Sequence, residues 1–377
     1  MEENLKQSKQ YSKLKVGISI IQFIMIIAFF LVMLFSKASV LLADAVKSRF
    51  ENFYLQVGLY LIIFGCIYYL IFLPLNFYEG FLLEHKFHLS NQTLAGWAIR
   101  SFKKLLISLP ILLLAAEALY LALRYCGDYW WLPVTAAWLF MTVVLSKIAP
   151  ILIIPLLYKC RPLADNELKE KLLELGKRCG VIIKDVFEIK LSKETKKANA
   201  AVAGFGKGRR ILLGDTLMKN YTADEIESVF AHELGHVRLL HTWKILGFGT
   251  IVSAACFYLT SLLFGRSVNI LGFENIYDIA AFPLLLLFLL LVGFALVPIQ
   301  NGYSRHLEKQ ADIFALARTA DSQNLASALS KLSIQNLSDP SPGRLVKLFF
   351  YDHPPIGERL AYCNQKMSRH AYPETQR

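Results

Sequence analysis

The 377 residues are 55% hydrophobic and carry a formal net charge of +12, more apolar than the roughly 45–50% of a soluble domain. The excess is gathered into long runs, which excludes an ordinary soluble globule and points to a multispan membrane protein. The positive charge lies in alternate loops, so it does not indicate a nucleic-acid partner.

The apolar runs fall near 16–36, 54–75, 105–124, 131–158, 245–265 and 279–299. About 20 apolar residues let a helix cross the hydrocarbon core, so six spans are predicted. The first run is longer than a signal-peptide core and no small-x-small site follows it closely, which makes it an uncleaved span. Lys and Arg number four in 1–15, four in 76–104, sixteen in 159–242 and ten in 301–377, against three in 37–53, none in 125–130 and one in 266–278. Cytosolic loops collect Lys and Arg, so both termini and the 159–242 segment are expected in the cytosol.

Residues 1–158 form a block of about four spans. Its loop 76–104 is too mixed in character for a linker. Lys147 lies inside the fourth run, where a charge is costly in lipid, and Pro150 and Pro155 follow, so that span is expected to end near Lys147. Residues 159–242 are soluble in composition. Leu168, Leu172, Leu175 and Cys179 mark one face of a helix that Gly180 closes. Residues 186–192 and 209–215 are predicted strands, with Gly204, Gly206 and Gly208 marking turns between them. Thr222 and Glu225 form a capping box at the start of the next helix. Two spans occupy 243–300, and 301–377 is a mostly helical cytosolic tail broken at Asp339–Gly343. The six cysteines contain no CxxC pair, so neither a disulfide framework nor a cysteine metal site is indicated. The sequons at Asn91, Asn220 and Asn336 fall on the cytosolic side and are fortuitous.

The capped helix carries Ala231-His232-Glu233-Leu234-Gly235-His236. Two histidines four apart share a helical face and can hold one tetrahedral metal. The carboxylate beside the first is placed to take a proton from the water such a metal would activate. A third ligand is needed. The HExxHxxGxxH pattern is excluded, because Leu239 and Thr242 stand where its glycine and third histidine belong and His241 is one residue out of register. The other solution takes a glutamate from a later helix. Glu308 and Asp312 in Ser304–Asp312 share a face, so Glu308 can ligate while Asp312 accepts a bond from a ligand histidine. His306 lies about 200° around that helix from Glu308 and is not a ligand.

These residues, with LPLNFYEGFLLEHKFHLSNQT (73–93), GDYWW (127–131), KIAP (147–150), ANAAVAGFGKGRRILLGDTLM (198–218), AHELGH (231–236), SRHLEKQAD (304–312) and HPPIGERL (353–360), resemble the type-1 CAAX prenyl endoproteases. The loop at 73–93 favours that branch over the HtpX-like membrane proteases. The resemblance implies a multispan α-helical membrane protein with a gluzincin-like zinc protease core carrying a small β-sheet. It implies one Zn2+ per chain on His232, His236 and Glu308, with Glu233 as base. Asn199 and Ala200 would lie on a strand edge that receives extended substrate. Ala201 follows where the family often has an aromatic residue. His353 would approach the site and steady an oxyanion, Arg359 would brace it, and a large chamber would enclose it. Family members with the full pattern carry seven spans, against the six counted here; the helix without a counterpart is N-terminal.

The expected partners are a peptide or lipidated protein substrate and membrane lipids, with no nucleic acid. Cleavage of prenylated C-terminal CAAX tails is the leading function. Broad membrane-protein quality control is the alternative. A scaffold has no need of Glu233, and the lack of repeat symmetry argues against a transporter.

Overall fold

A computed structural model describes residues 2–204, 208–319 and 321–371 of the chain; the expected turn residue Gly206 and the C-terminal residue Arg377 lie outside them. Six helices among the described residues are long and apolar enough to cross a membrane. The first is α1 (Glu2–Phe35), whose polar first half extends well beyond the apolar run. A short helix α2 (Ala38–Lys47) follows. Next comes α3 (Phe53–Phe77), capped by the Asn52 side chain, which accepts from the Leu55 N–H. It runs through a π-helical turn, Tyr78–Leu82, into α4 (Leu83–Lys86). Thr93 caps α5 (Leu94–Cys126) in the same way.

The fourth span, α6 (Trp131–Ile148), does not stop at Lys147. It passes through a second π-helical turn, Ala149–Ile153, into α7 (Ile154–Leu157). Pro150 removes one backbone donor, and a widened turn carries that loss without ending the helix.

The soluble part opens with β1 (Cys160–Pro162) and the amphipathic α8 (Asn166–Arg178), which Gly180 closes at φ 68°. The strands β2 (Asp185–Ile189), β3 (Ala200–Ala203) and β4 (Arg210–Gly214) complete a mixed sheet of order β1-β2-β4-β3. β2 and β4 are parallel, while β1 and β3 pair antiparallel to their neighbours. After α9 (Asp215–Asn220) comes α10 (Ala223–Arg238), then the two remaining long helices, α11 (His241–Ile270) and α12 (Phe282–Arg318). α12 continues without a break from its apolar half into Glu308 and Asp312. The tail contains α13 (Ser322–Gln335), α14 (Arg344–Phe350) and α15 (Ile356–Ala371).

Among the described residues two large hydrophobic cores form, beside a smaller cluster around Tyr11, Leu83 and Leu337. One lies among the long helices and is rich in aromatics, with Phe29, Tyr60, Phe64, Tyr120 and Phe282 buried together. The other packs α8, the sheet, α10, α13 and α15 around Leu172, Leu175, Ile211, Phe230 and Leu329. The loop after α4 joins the two. The Asn91 side chain donates to the Ser192 carbonyl at 2.8 Å, the Lys196 N–H donates to the Leu89 carbonyl at 2.8 Å, and Arg100 pairs with Glu194. The loop is therefore part of the folded body.

Candidate metal centre

The site begins with the cap of α10. Thr222 Oγ1 accepts from the Glu225 N–H, and Glu225 Oε2 accepts from the Thr222 N–H at 2.9 Å. Glu225 also accepts from Ser327 Oγ at 2.6 Å and Lys331 Nζ at 2.7 Å, which fastens α10 to α13. Burial opposes its charge, but these bonds outweigh burial and hold its pKa below the ordinary value of 4.5. Three turns on, Gly235 lets α10 approach α12. A Cβ there would stand 3.1 Å from the Cα of Ala311 and 3.3 Å from its carbonyl oxygen.

This approach brings together three side chains from two distant stretches of chain. His232 Nε2 lies 3.1 Å from His236 Nε2 and 3.2 Å from Glu308 Oε2, and His236 Nε2 lies 3.3 Å from Glu308 Oε1. Ligand atoms at about 2.0–2.1 Å from a tetrahedral zinc are about 3.3 Å apart, so the cluster has the dimensions of a metal site. Glu308 is buried, yet its Oε2 has no hydrogen-bond partner. Two imidazoles and a carboxylate around such an orphaned atom suit zinc.

Asp312 stands one turn beyond Glu308. Its Oδ1 accepts from His232 Nδ1 at 2.8 Å, and Arg359 of α15 grips both of its oxygens at 2.6 and 2.8 Å. Burial disfavours a charged His232, but Asp312 and Glu308 outweigh it and hold the ring's pKa up to about 9. The bond from Nδ1–H to Asp312 fixes the ring with its Nε2 turned to the cluster, where a metal would take the place of the second proton.

His236 has a different support. With Nε2 turned inward, its Nδ1 carries the hydrogen and donates to Nδ1 of the fully buried His241 at 3.1 Å. His241 then donates from Nε2 to Gln310 Oε1 at 3.1 Å, and Gln310 Nε2 donates to the exposed His306 at 2.9 Å. Leu240, at φ 57°, supplies the left-handed turn that folds His241 back over His236.

Glu233 lines a cavity of about 630 Å³ together with His232, Glu308, His353, Asn199 and Ala200. Tyr11, Ser12 and Lys15 of α1 form another part of its wall. His353 Nε2 lies 3.3 Å from Glu308 Oε1, and its Nδ1 bonds Asp352 Oδ1 at 2.8 Å. That bond, opposed by burial and aided by Glu308, raises the pKa of His353. Ala201 is exposed and is not part of the cavity wall.

β3 is an edge strand. Gly214 donates to the Asn199 carbonyl at 2.9 Å, so the next pair, Ala200 opposite Leu213, is the non-hydrogen-bonded kind. The N–H and C=O of Ala200 therefore point to the open edge, on the wall that also bears Glu233.

The sequence profile described as Peptidase family M48 matches residues 162–366. The chain belongs to peptidase family M48. A second profile, described as CAAX prenyl protease N-terminal, five membrane helices, matches residues 1–159. Four of the six long helices here fall in that region, and α2, at ten residues, is too short to cross. The chain is 31% identical to the uncharacterized metalloprotease YhfN of Bacillus subtilis, over 96% of this chain and 86% of that one. It is 30% identical to CAAX prenyl protease 1 homolog of Homo sapiens, over 76% and 69%. The crystal structure of S. mikatae Ste24p superposes with a TM-score of 0.84 at 27% identity, covering 97% of this chain and 90% of that one. The protein is a multi-pass membrane metalloprotease.

Within this M48 peptidase, sequence reasoning missed Asp352, His241, Gln310 and Asn336. Asp352 adjoins His353, and that adjacency is the signal in the sequence for their pairing. In the sequence His241 reads only as a misplaced third ligand, and the left-handed turn that makes it a support for His236 has no glycine to announce it. Asn336 reads in the sequence as no more than a chance sequon.

Proposed function

We propose that this M48 peptidase is a zinc endopeptidase that removes short C-terminal tails from prenylated or similarly lipid-anchored proteins at the cytosolic face of its membrane. The observation that carries this reading is the His232–His236–Glu308 cluster opening onto a cavity beside a free strand edge. The kinship with proteins named CAAX prenyl proteases supports the substrate class.

In this reading His232, His236 and Glu308 hold the zinc. A bound zinc ion supplies Lewis acidity, which polarises a peptide carbonyl and makes water nucleophilic near neutral pH. An extended peptide pairs with the N–H and C=O of Ala200, which places one of its carbonyls over the cluster. Glu233 takes the proton of the attacking water and passes it to the leaving amine nitrogen as the C–N bond breaks. His353 donates from Nε2 to the oxygen that gains charge. Arg359 and Asp312 keep His232 from turning. The Lys- and Arg-rich loops support a cytosolic position for this chemistry.

The deciding experiment compares a farnesylated CAAX peptide with its unprenylated twin on purified protein. The expected result is release of the C-terminal tripeptide with a clear preference for the farnesylated form. Equal rates on both would replace this reading with broad quality-control proteolysis, and no cleavage of either would remove the endopeptidase reading.

A further inference from the structure

The open edge of β3 is interrupted at one place. Ala198, two residues before Ala200, has the same outward parity, so its N–H and C=O would also be open to a peptide. They are taken by one side chain. Asn336 Oδ1 accepts from the Ala198 N–H at 2.9 Å, and Asn336 Nδ2 donates to the Ala198 carbonyl at 3.2 Å. A single amide thus makes both bonds that a residue of an added strand would make.

The amide is firmly held. Gln335, its neighbour, donates from Nε2 to the Lys196 carbonyl at 2.6 Å. Leu337, just after it, is buried at φ 51°, a left-handed conformation that a non-glycine residue rarely adopts. Asn336 and Ala198 both line the cavity that holds Glu233 and Glu308.

We propose that Asn336 is an end stop that limits how many residues of substrate can follow the scissile bond; this rests on the endopeptidase reading above. A peptide added antiparallel to β3, the commoner mode, runs N to C from Ala203 toward Ala198. Its C-terminal side is therefore the side that meets Asn336. Beyond the residue opposite Ala200, about one more can lie along the edge before the position held by the amide, at about 3.3 Å of rise per residue. A longer tail must leave the edge and forgo its backbone bonds. A short C-terminal tail fits under the stop, and the N-terminal side of the peptide runs away from it toward Ala203.

The test uses the full-length enzyme and farnesylated peptides with two to seven residues after the cut, and a second series lengthened only on the N-terminal side. For the wild type, kcat/KM should fall about tenfold, or about 1.4 kcal/mol, once the tail outgrows the edge and forgoes backbone bonds. N-terminal extension should change it little. Asn336→Ser withdraws the amide and should raise the long-tail to short-tail ratio of kcat/KM by a similar factor; Asn336→Gly serves if the serine variant does not fold, as judged by its unfolding midpoint. A ratio unchanged in the folded variants, no length limit in the wild type, or a limit on the N-terminal side would each overturn the end stop. Those results leave cleavage itself intact, whereas no cleavage of any peptide overturns the endopeptidase reading and the stop together.

Discussion

The two histidines of the cluster are held by unlike partners. His232 leans on a carboxylate that Arg359 braces, and His236 leans on a neutral imidazole. Supports of this kind are worth about 10–100-fold in metal affinity. His241→Phe, which fills the space but cannot accept a hydrogen bond, should weaken zinc binding by about that factor in a chelator competition. His241→Gln, whose amide can accept and donate, should lose much less, and the reverse ranking would show that His241 only packs. In the proposed mechanism Glu233→Gln removes the base and no ligand. It should keep its zinc by metal analysis and lose about 10²–10⁴-fold in kcat, and near-normal turnover would exclude Glu233 as the base. The residues that sequence made plain at this scale are those at helical spacing, His232 with His236 and Glu308 with Asp312, because i, i+4 fixes their relation without tertiary knowledge. His241 and Asn336 act across turns whose left-handed residues are leucines, and no residue-type signal announces them.

Among the elements, α10 carries two of the cluster's three side chains, and its position depends on the cap. Glu225 accepts hydrogen bonds from Thr222, Ser327 and Lys331, and its pKa is lowered in the fold. A lowered carboxylate pKa stabilises the fold above the unfolded-state value and loses that effect as pH falls through the folded-state value. Glu225→Gln should therefore lower the unfolding midpoint at pH 7 by a few degrees, for a loss of about 1–2 kcal/mol. The gap between variant and wild type should narrow as pH falls below about 4. A gap that stays constant down to pH 3 would mean that the charge of Glu225 does not matter. The long helices, α8, β2, β4 and this cap were legible because periodicity and capping are local. β1, at three residues, is fixed only by its pairing with β2 and leaves no local pattern. The continuation of α6 past Lys147 was obscured because proline normally signals a stop, and a π-helical turn overrides that signal.

For the molecule as a whole, the contacts sort the loops into two sets. Tyr11 and Glu84 meet Lys197, and Asn91 meets Ser192, so the first residues, the loop after α4 and the 159–242 segment lie together. Lys47 pairs with Asp278 at 3.0 Å, joining the loops of the opposite set. Six crossings with this grouping match the alternation of charge along the chain. In intact cells lacking the exposed Cys66 and Cys126, an impermeant thiol reagent should label Glu274→Cys and leave Lys193→Cys unmodified. The opposite pattern would invert the orientation.

The order of the parts along the chain has a consequence for biosynthesis. His232 and His236 precede α11, Glu308 lies near the end of α12, and Arg359 comes later still. Between the first two ligands and the third, the chain must cross the bilayer and return. A nascent chain that has not inserted both helices holds half a binding site, and one that has not yet released residue 359 from the ribosome lacks the brace on Asp312. In the proposed three-ligand site, then, full coordination has to wait until both α11 and α12 are in the membrane.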